Sequence, residues 1–186
     1  MAGTGITRWA NQSDETLIGT ESDDILGGFR GTSMLAGGMG DDTYYVLSPL
    51  NTIVETADGG NDWVITWQSH TLADHLENLQ VLGAETIGIG NEADNVVIGG
   101  EGSQQIFGAG GNDTLSGGAG KDLFIVRQGS GSDIVTDFEA GPSGGDLVQL
   151  GSYGVSNFSA VVNQMSQSGS DVVVQLNSGE TLTFQN

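Results

Sequence analysis

The sequence predicts an all-β protein: a right-handed parallel β-roll, or β-helix solenoid, with a small α+β cap at its C-terminal end. Three observations support this fold: a nine-residue repeat, a high glycine content, and acidic residues that follow the repeat. Glycine accounts for 32 of 186 residues, and 24 Asp and Glu against four Lys and Arg give a formal net charge of −20. The chain has no cysteine, which excludes disulfides and thiolate metal sites.

The repeat forms two arrays, over residues 10–45 and 90–125. The eighth place of each nine-residue unit is a large apolar residue: Leu17, Leu26, Leu35, Tyr44, Val97, Ile106, Leu115 and Phe124. A period of nine is wrong for a helix face but fits a turn of about six residues followed by a strand of about three. Two units then make one coil. Stacked coils bury the eighth-place residues, and turns two units apart lie on the same edge.

Residues 46–89 break the period of nine but keep short β-rich runs: TYYV, TIVET, DWVITW and ENLQVLG. We interpret them as wider coils of the same solenoid. Residues 1–145 are therefore predicted to form the solenoid and residues 146–186 the cap. In the cap, GGDLVQL predicts a strand, and DVVVQL with TLTFQN predicts a hairpin. Between them, Ser156 is a candidate cap for a helix whose apolar stripe is Phe158, Val161, Val162 and Met165.

The units GGMGDDTYY, GAGGNDTLS and GGAGKDLFI resemble the calcium-binding nonapeptide of RTX (repeats-in-toxin) proteins, GGxGxDxUx. The wider coils and the cap resemble C-terminal modules of type I secreted bacterial polysaccharide-modifying enzymes. The resemblance implies a non-catalytic module that binds several Ca²⁺ ions and folds on them outside the cell. It also implies that the chain is fused to a catalytic domain that acts on polysaccharide. The chain would then be the C-terminal fragment of a larger protein.

The RTX pattern, carried over by position, places each ion between two stacked turns. The ligands are then sixth-place side chains and turn carbonyls. In the first array one edge pairs Asp24 with Asp42 and Asp42 with Asp62. In the second, Asn95, Asp113 and Asp133 share an edge, and the opposite edge pairs Gln104 with Asp122. Ser33 carries no charge, so we expect no tight site between Glu15 and Ser33. The calcium-binding residues implied are Gly19, Glu21, Asp24, Gly37, Gly38, Met39, Gly40, Asp42, Asp62, Asn95, Gly108, Gly110, Gly111, Asp113, Gly117, Ala119, Asp122 and Asp133.

Two other functions stay open at this stage. Trp63, Trp67 and Tyr45 are expected to face outward, as in a surface that stacks sugar rings, so a carbohydrate-binding module is one alternative. Burial of these rings under the cap or a neighbouring domain competes with that interpretation. An adhesin or surface-layer segment is the other alternative.

The sequence predicts no catalytic activity, no binding to nucleic acid and no insertion into a membrane. His70 and His75 lie with Asp74 and Glu77 in HTLADHLEN, which we interpret as a polar loop, and no recognised catalytic motif occurs. The net charge would repel a phosphate backbone or an anionic membrane, and no run approaches the ~20 apolar residues of a membrane span.

Overall fold

The structure is a computed structural model, and it describes residues 4–141, 145–154, 158–176 and 179–186. The strands in chain order are β1 (Thr7–Ala10), β2 (Thr16–Ile18), β3 (Ile25–Gly28), β4 (Met34–Ala36), β5 (Thr43–Val46), β6 (Thr52–Ile53), β7 (Trp63–Thr66), β8 (His70–Thr71), β9 (Asn78–Val81), β10 (Ile87–Ile89), β11 (Val96–Ile98), β12 (Glu101–Gly102), β13 (Gln105–Phe107), β14 (Thr114–Ser116), β15 (Ala119–Gly120), β16 (Leu123–Arg127), β17 (Asp133–Val135), β18 (Leu147–Gly151), β19 (Met165–Ser168), β20 (Asp171–Gln175) and β21 (Thr181–Phe184). Within the described ranges, the α-helix is α1 (Phe158–Val162).

Successive coils stack in parallel, which confirms the predicted solenoid. One long sheet runs through β1, β3, β5, β7, β9, β11, β14 and β17. The opposite face contains two sheets, β2–β4–β6 and β8–β10–β13–β16–β18. Within the arrays, strands pair at the predicted spacing of two repeat units: Leu26 lies beside Tyr44, and Val97 beside Leu115.

The eighth places line the core, as the repeat predicted. Seven of the eight residues are fully buried, and Leu17 is 8% exposed. Tyr44 and Phe124 are the largest of these buried side chains. A unit of turn plus strand buries almost nothing alone, so the core exists only because neighbouring coils cover one another.

The wider coils keep their strands in the long sheet but change the spacing between turns. Thr43 pairs with Trp63, which makes this coil longer than two repeat units, and Trp63 pairs with Asn78, which makes the next coil shorter. The spacing of the arrays returns where Asn78 pairs with Val96. The turns of residues 46–89 therefore remain on the solenoid edges, although their lengths differ from the nonapeptide turn.

The C-terminal segment extends both faces. β18 pairs in parallel with β16, and β21 pairs in parallel with β17. The predicted hairpin is confirmed, because β20 pairs antiparallel with β21 and β19 pairs antiparallel with β20. The division of domains at residue 145 stays a prediction.

The predicted helix is shorter than its apolar stripe suggested. The prediction that Met165 lies on the helix is wrong: α1 ends at Val162 and Met165 begins β19, paired with Val174. The Gln164 N–H donates to the Val161 carbonyl (2.8 Å) and closes a tight turn between the two elements. Strand pairing thus outweighs the local helical pattern. Ser156, the candidate cap, lies outside the described residues.

Candidate calcium sites

The sixth-place side chains form a ladder along one edge of the solenoid. At each rung, a backbone N–H donates to the carboxylate one coil further along. The rungs run from Asp24 N–H to Asp42 Oδ1 (2.7 Å), Asp42 to Asp62 Oδ1 (2.8 Å), Asp62 to Glu77 Oε2 (2.8 Å), Asn95 to Asp113 Oδ1 (2.8 Å) and Asp113 to Asp133 Oδ1 (3.2 Å). All four predicted pairs on this edge are brought together. Glu77 joins them, although the sequence had been interpreted as a polar loop there.

The opposite edge carries a shorter ladder. Gln104 N–H donates to Asp122 Oδ1 (2.7 Å), as the predicted pairing requires, and Asp122 N–H donates to Asp146 Oδ1 (2.9 Å). Asp146 was missed because its distance along the chain from Asp122 does not fit the period of nine. Its only sequence signal was its position after two glycines and directly before a strand, in GGDLVQL.

Four carboxylates on these ladders each keep an inner oxygen without a hydrogen-bond donor. These oxygens are Oδ2 of Asp42, Asp62, Asp113 and Asp122, and each residue is at most 1% exposed. A buried, charged carboxylate whose oxygen has no partner lowers the stability of the fold by on the order of several kcal/mol. A cation beside each oxygen would remove that cost, so these four positions fit a metal best.

The backbone conformation at the second place of a nonapeptide turn differs between turns whose carboxylate has an oxygen without a donor and turns whose side chain accepts a backbone N–H. In the nonapeptide turns of Asp42, Asp113 and Asp122, the second place has a left-handed φ: Gly38 (+111°), Ala109 (+80°) and Gly118 (+85°). Ala109 bears a steric cost that glycine does not, which marks this conformation as required by the turn.

The turns that end at Asp24 and Asn95 are built differently. Their second-place residues are Thr20 and Asn91, and each donates its N–H to the sixth-place side chain, at 2.5 and 2.7 Å. Asp24 also accepts the Ile6 N–H through its other oxygen (2.5 Å). Both Asp24 oxygens are thus engaged by backbone donors, unlike those of Asp42.

First-place glycines leave the space beside the carboxylates open. A Cβ built on Gly37 would overlap Asp42 Oδ2, and one on Gly108 would overlap Asp113 Oδ2. A Cβ on Gly19 would overlap the Gly37 carbonyl oxygen. Carboxylate and carbonyl oxygens therefore meet around each turn, and this is the hard oxygen environment that Ca²⁺ prefers.

Burial is the main cause of the raised pKa of these acids. It raises the pKa of Asp62 and Asp113 to about 7 and the pKa of Asp42 and Asp133 to about 6. It also raises the pKa of Asp122. Neighbouring carboxylates push in the same direction, so the folded edge holds its negative charge at a cost that a bound cation offsets.

Two predicted ligands use their amides to join coils. Asn95 Nδ2 donates to the carbonyls of Leu76 and Glu77 in the preceding coil, both at 3.2 Å. Gln104 Nε2 donates to the carbonyls of Gly83 and Glu101, both at 3.0 Å. Each amide thus links its coil to the one before it through protein groups. Gln104 Oε1 is buried without a donor and remains a candidate ligand.

Glu55 is a candidate ligand that the sequence did not reveal. It lies within 4.8 Å of Asp42 and Asp62, measured between one carboxylate oxygen of each. It follows β6 in TIVET, outside both nonapeptide arrays, and only the stacking of coils shows where it points. The Tyr44 hydroxyl donates to Glu55 Oε1, and the buried Tyr44 thereby anchors this carboxylate to the core.

The aromatic residues lie on the outer face of the long sheet. Trp67 is 50% exposed, and Trp63 and Tyr45 are half-buried. Tyr45 contacts Trp9, with ring centroids 5.4 Å apart, and Trp9 contacts Phe29 at 5.1 Å. The expected row is therefore incomplete without Trp9 and Phe29, which the sequence did not single out.

A family model matches the two arrays. Four copies of the RTX calcium-binding nonapeptide repeat fall on residues 9–44 and 89–124. These residues belong to the RTX calcium-binding repeat family. RTX repeats imply calcium binding, and the four inner carboxylate oxygens are candidate positions for it among the described residues.

The chain is similar along nearly its whole length to two curated proteins of Rhizobium meliloti. They are named endo-1,3-1,4-beta-glycanase ExsH and endo-1,3-1,4-beta-glycanase EglC, and each is 42% identical to it. The matches cover 97% and 99% of this chain but only 38% and 39% of the relatives. An extracellular lipase from Serratia marcescens matches at 14% identity with a TM-score of 0.29, over 95% of this chain and 38% of the lipase, which is too low to support an inference.

Among the described residues, no helix has the length and hydropathy needed to cross a bilayer.

Proposed function

We propose that this chain is a non-catalytic, calcium-dependent folding module of a secreted bacterial protein. The observation that carries the proposal is the set of four buried carboxylates with an inner oxygen that lacks a donor. The proposed ligands are the carboxylates of Asp42, Asp62, Asp113 and Asp122, together with turn carbonyls and the remaining residues implied by the RTX pattern except Asp24 and Asn95, whose side-chain oxygens accept backbone N–H groups.

The charge of the chain explains why folding would follow calcium. A formal net charge of −20 opposes compaction, and the ladders place acids on successive coils only a strand spacing apart. Calcium is scarce in the bacterial cytoplasm and abundant outside. The chain would therefore stay unfolded for export, by a type I route, and fold when ions bind its turns.

The partner in the same polypeptide would be a polysaccharide-active enzyme. The chain spans about two fifths of its glycanase relatives, and RTX repeats are typical of secreted proteins. We infer that the module supports or targets a fused catalytic domain outside the cell and performs no chemistry itself.

The test is circular dichroism of the chain in chelator, in Ca²⁺ and in Mg²⁺. We expect a largely unstructured chain in chelator that gains β signal with Ca²⁺ and little with Mg²⁺, which demands a tighter octahedral geometry. Asp113→Asn should raise the calcium concentration needed for folding. Asp74→Asn removes the same charge at an exposed position and should leave that concentration unchanged. A chelated chain with full β signal would contradict the proposal.

The exposed aromatics favour a second candidate function, carbohydrate binding. Trp67 is half-exposed, and Trp9, Phe29 and Tyr45 form a contiguous patch on the same sheet. Rings of this kind stack on the apolar faces of sugars, and the strong negative charge favours a neutral polymer over an anionic one. Tryptophan fluorescence of the calcium-loaded chain during titration with a neutral β-glucan tests this. If the tryptophan fluorescence does not change and the glucan pulls down a Trp63→Ala/Trp67→Ala variant as well as the unaltered chain, Trp63 and Trp67 take no part in carbohydrate binding.

A further inference from the structure

The turn that precedes Asp62 departs from the nonapeptide pattern. The sequence separation is 18 between Asp24 and Asp42 but 20 between Asp42 and Asp62, so the coil that ends at Asp62 is the longer one. The Val54 N–H donates to the Leu35 carbonyl (2.8 Å), which aligns Glu55 with Gly37 one coil below. A glutamate thus occupies the level at which the repeat places its first glycine.

This substitution brings a third carboxylate between the two turns. One oxygen each from Asp42, Glu55 and Asp62 lies within 4.8 Å of the others, and Asp42 and Asp62 are at most 1% exposed. The inner oxygens of Asp42 and Asp62 lack donors. A Cβ on Gly59 would lie 2.5 Å from Glu55 Oε2 and 3.3 Å from Asp62 Oδ2, so glycine keeps this space open.

The Glu55 carboxylate is held in place by two donors. Its Oε2 accepts the Thr56 N–H (3.1 Å), and its Oε1 accepts the Tyr44 hydroxyl. The Gly37 N–H donates to the Tyr44 hydroxyl oxygen (2.6 Å) and completes the chain of contacts. Each Glu55 oxygen retains lone-pair capacity for a cation, and Tyr44 acts as a positioning residue because it contacts Glu55.

We propose that Asp42, Glu55 and Asp62 form a three-carboxylate cation site that binds its Ca²⁺ more tightly than the nonapeptide sites of this chain do. This inference rests on the proposed function, because it assumes that the turns bind calcium. The nonapeptide turns bring at most two sixth-place carboxylates to an ion, and only one where the pair includes Asn95 or Gln104. Here three carboxylates meet one divalent ion, which leaves one negative charge and favours a trivalent lanthanide even more strongly.

Terbium luminescence on the full chain tests the proposal. Trp63 follows Asp62 directly, and Tyr44 contacts Glu55, so Tb³⁺ bound here would be sensitised by both rings. We expect emission from the first equivalent of Tb³⁺, displaced by Ca²⁺ only at high excess. Glu55→Gln should weaken that first step at least tenfold and leave the later steps in place. Glu85→Gln, at an exposed position, is the matched control and should titrate like the original chain.

The outcomes separate this inference from the proposed function. If the original chain binds no calcium and Glu55→Gln changes nothing, the proposed function fails. If calcium folds the chain but Glu55→Gln leaves the first step unchanged, only the three-carboxylate site is overturned. Should Glu55→Gln not fold at saturating calcium, Glu55→Asp decides, because it keeps the charge but shortens the reach, and an unaltered first step would equally overturn the site.

Discussion

Replacing Asp42 by asparagine should change the stability of the module in opposite directions with and without calcium. Asp42 Oδ1 accepts the Asp24 N–H, and asparagine can keep that bond through its carbonyl oxygen. Its amide nitrogen would then replace Oδ2, the buried oxygen without a donor. A carboxylate ligand would become an N–H₂ group directed at the ion.

The magnitudes follow from ion linkage and from burial. With calcium at about 100 times the dissociation constant, losing one bound ion costs about 2.7 kcal/mol of stability. Without calcium the sign reverses, because burial raises the pKa of Asp42 to about 6 and the folded chain must keep this acid charged at pH 8. Removing that charge should stabilise the chelated form by about 1–3 kcal/mol.

Urea unfolding followed by circular dichroism measures both effects. One series is run in saturating calcium and the other in chelator, with an osmolyte such as sucrose to populate the folded form. Asp24→Asn is the matched control, since both Asp24 oxygens accept backbone N–H groups and it should destabilise both forms by about 1–2 kcal/mol. If Asp42→Asn destabilised the chelated form as much as the calcium form, the assignment of its inner oxygen to an ion would be wrong.

The remaining predictions concern pH, amides and glycines. Folding raises the pKa of Asp113 to about 7, so the folded form without calcium should be most stable below pH 4 and should lose that stability as the pH rises towards 7. The β signal in chelator at pH 4.5 and at pH 8 measures this, and equal signals at the two pH values would count against it. Asn95→Ala should lower the free energy of unfolding by about 1–3 kcal/mol both in calcium and in chelator, because the Asn95 amide donates to two carbonyls. Calorimetry should count the same number of bound ions, and a count lower by one would show that Asn95 is a ligand. Gly108→Ala should lower the ion count, since its Cβ overlaps Asp113 Oδ2, whereas Gly141→Ala should not, because among the described residues its Cβ would meet no atom closer than 3.8 Å; equal counts would remove Gly108 from the site.

The sequence alone determined the periodic part of the protein. A period of nine cannot repeat one face of a helix, and an apolar residue at every eighth place requires stacked coils to bury it, as Leu115 and Phe124 show. The same counting placed Asp24 beside Asp42 and Gln104 beside Asp122, because stacked coils bring residues two repeat units apart into contact. These features depend only on the spacing of residues along the chain, which can be counted from the sequence.

The tertiary structure decided what spacing cannot encode. Glu55 and Asp146 reach the carboxylate ladders only because coils of unequal length still stack in register, so no count from the repeats finds them. In the nonapeptide turns of Asp42, Asp113 and Asp122, the inner oxygen without a donor accompanies a left-handed φ at the second place, and Ala109 adopts this φ although its residue type does not predict it. Met165 followed a helical stripe in the sequence but lies in a strand, because pairing with Val174 supplies hydrogen bonds that so short a helix could not match.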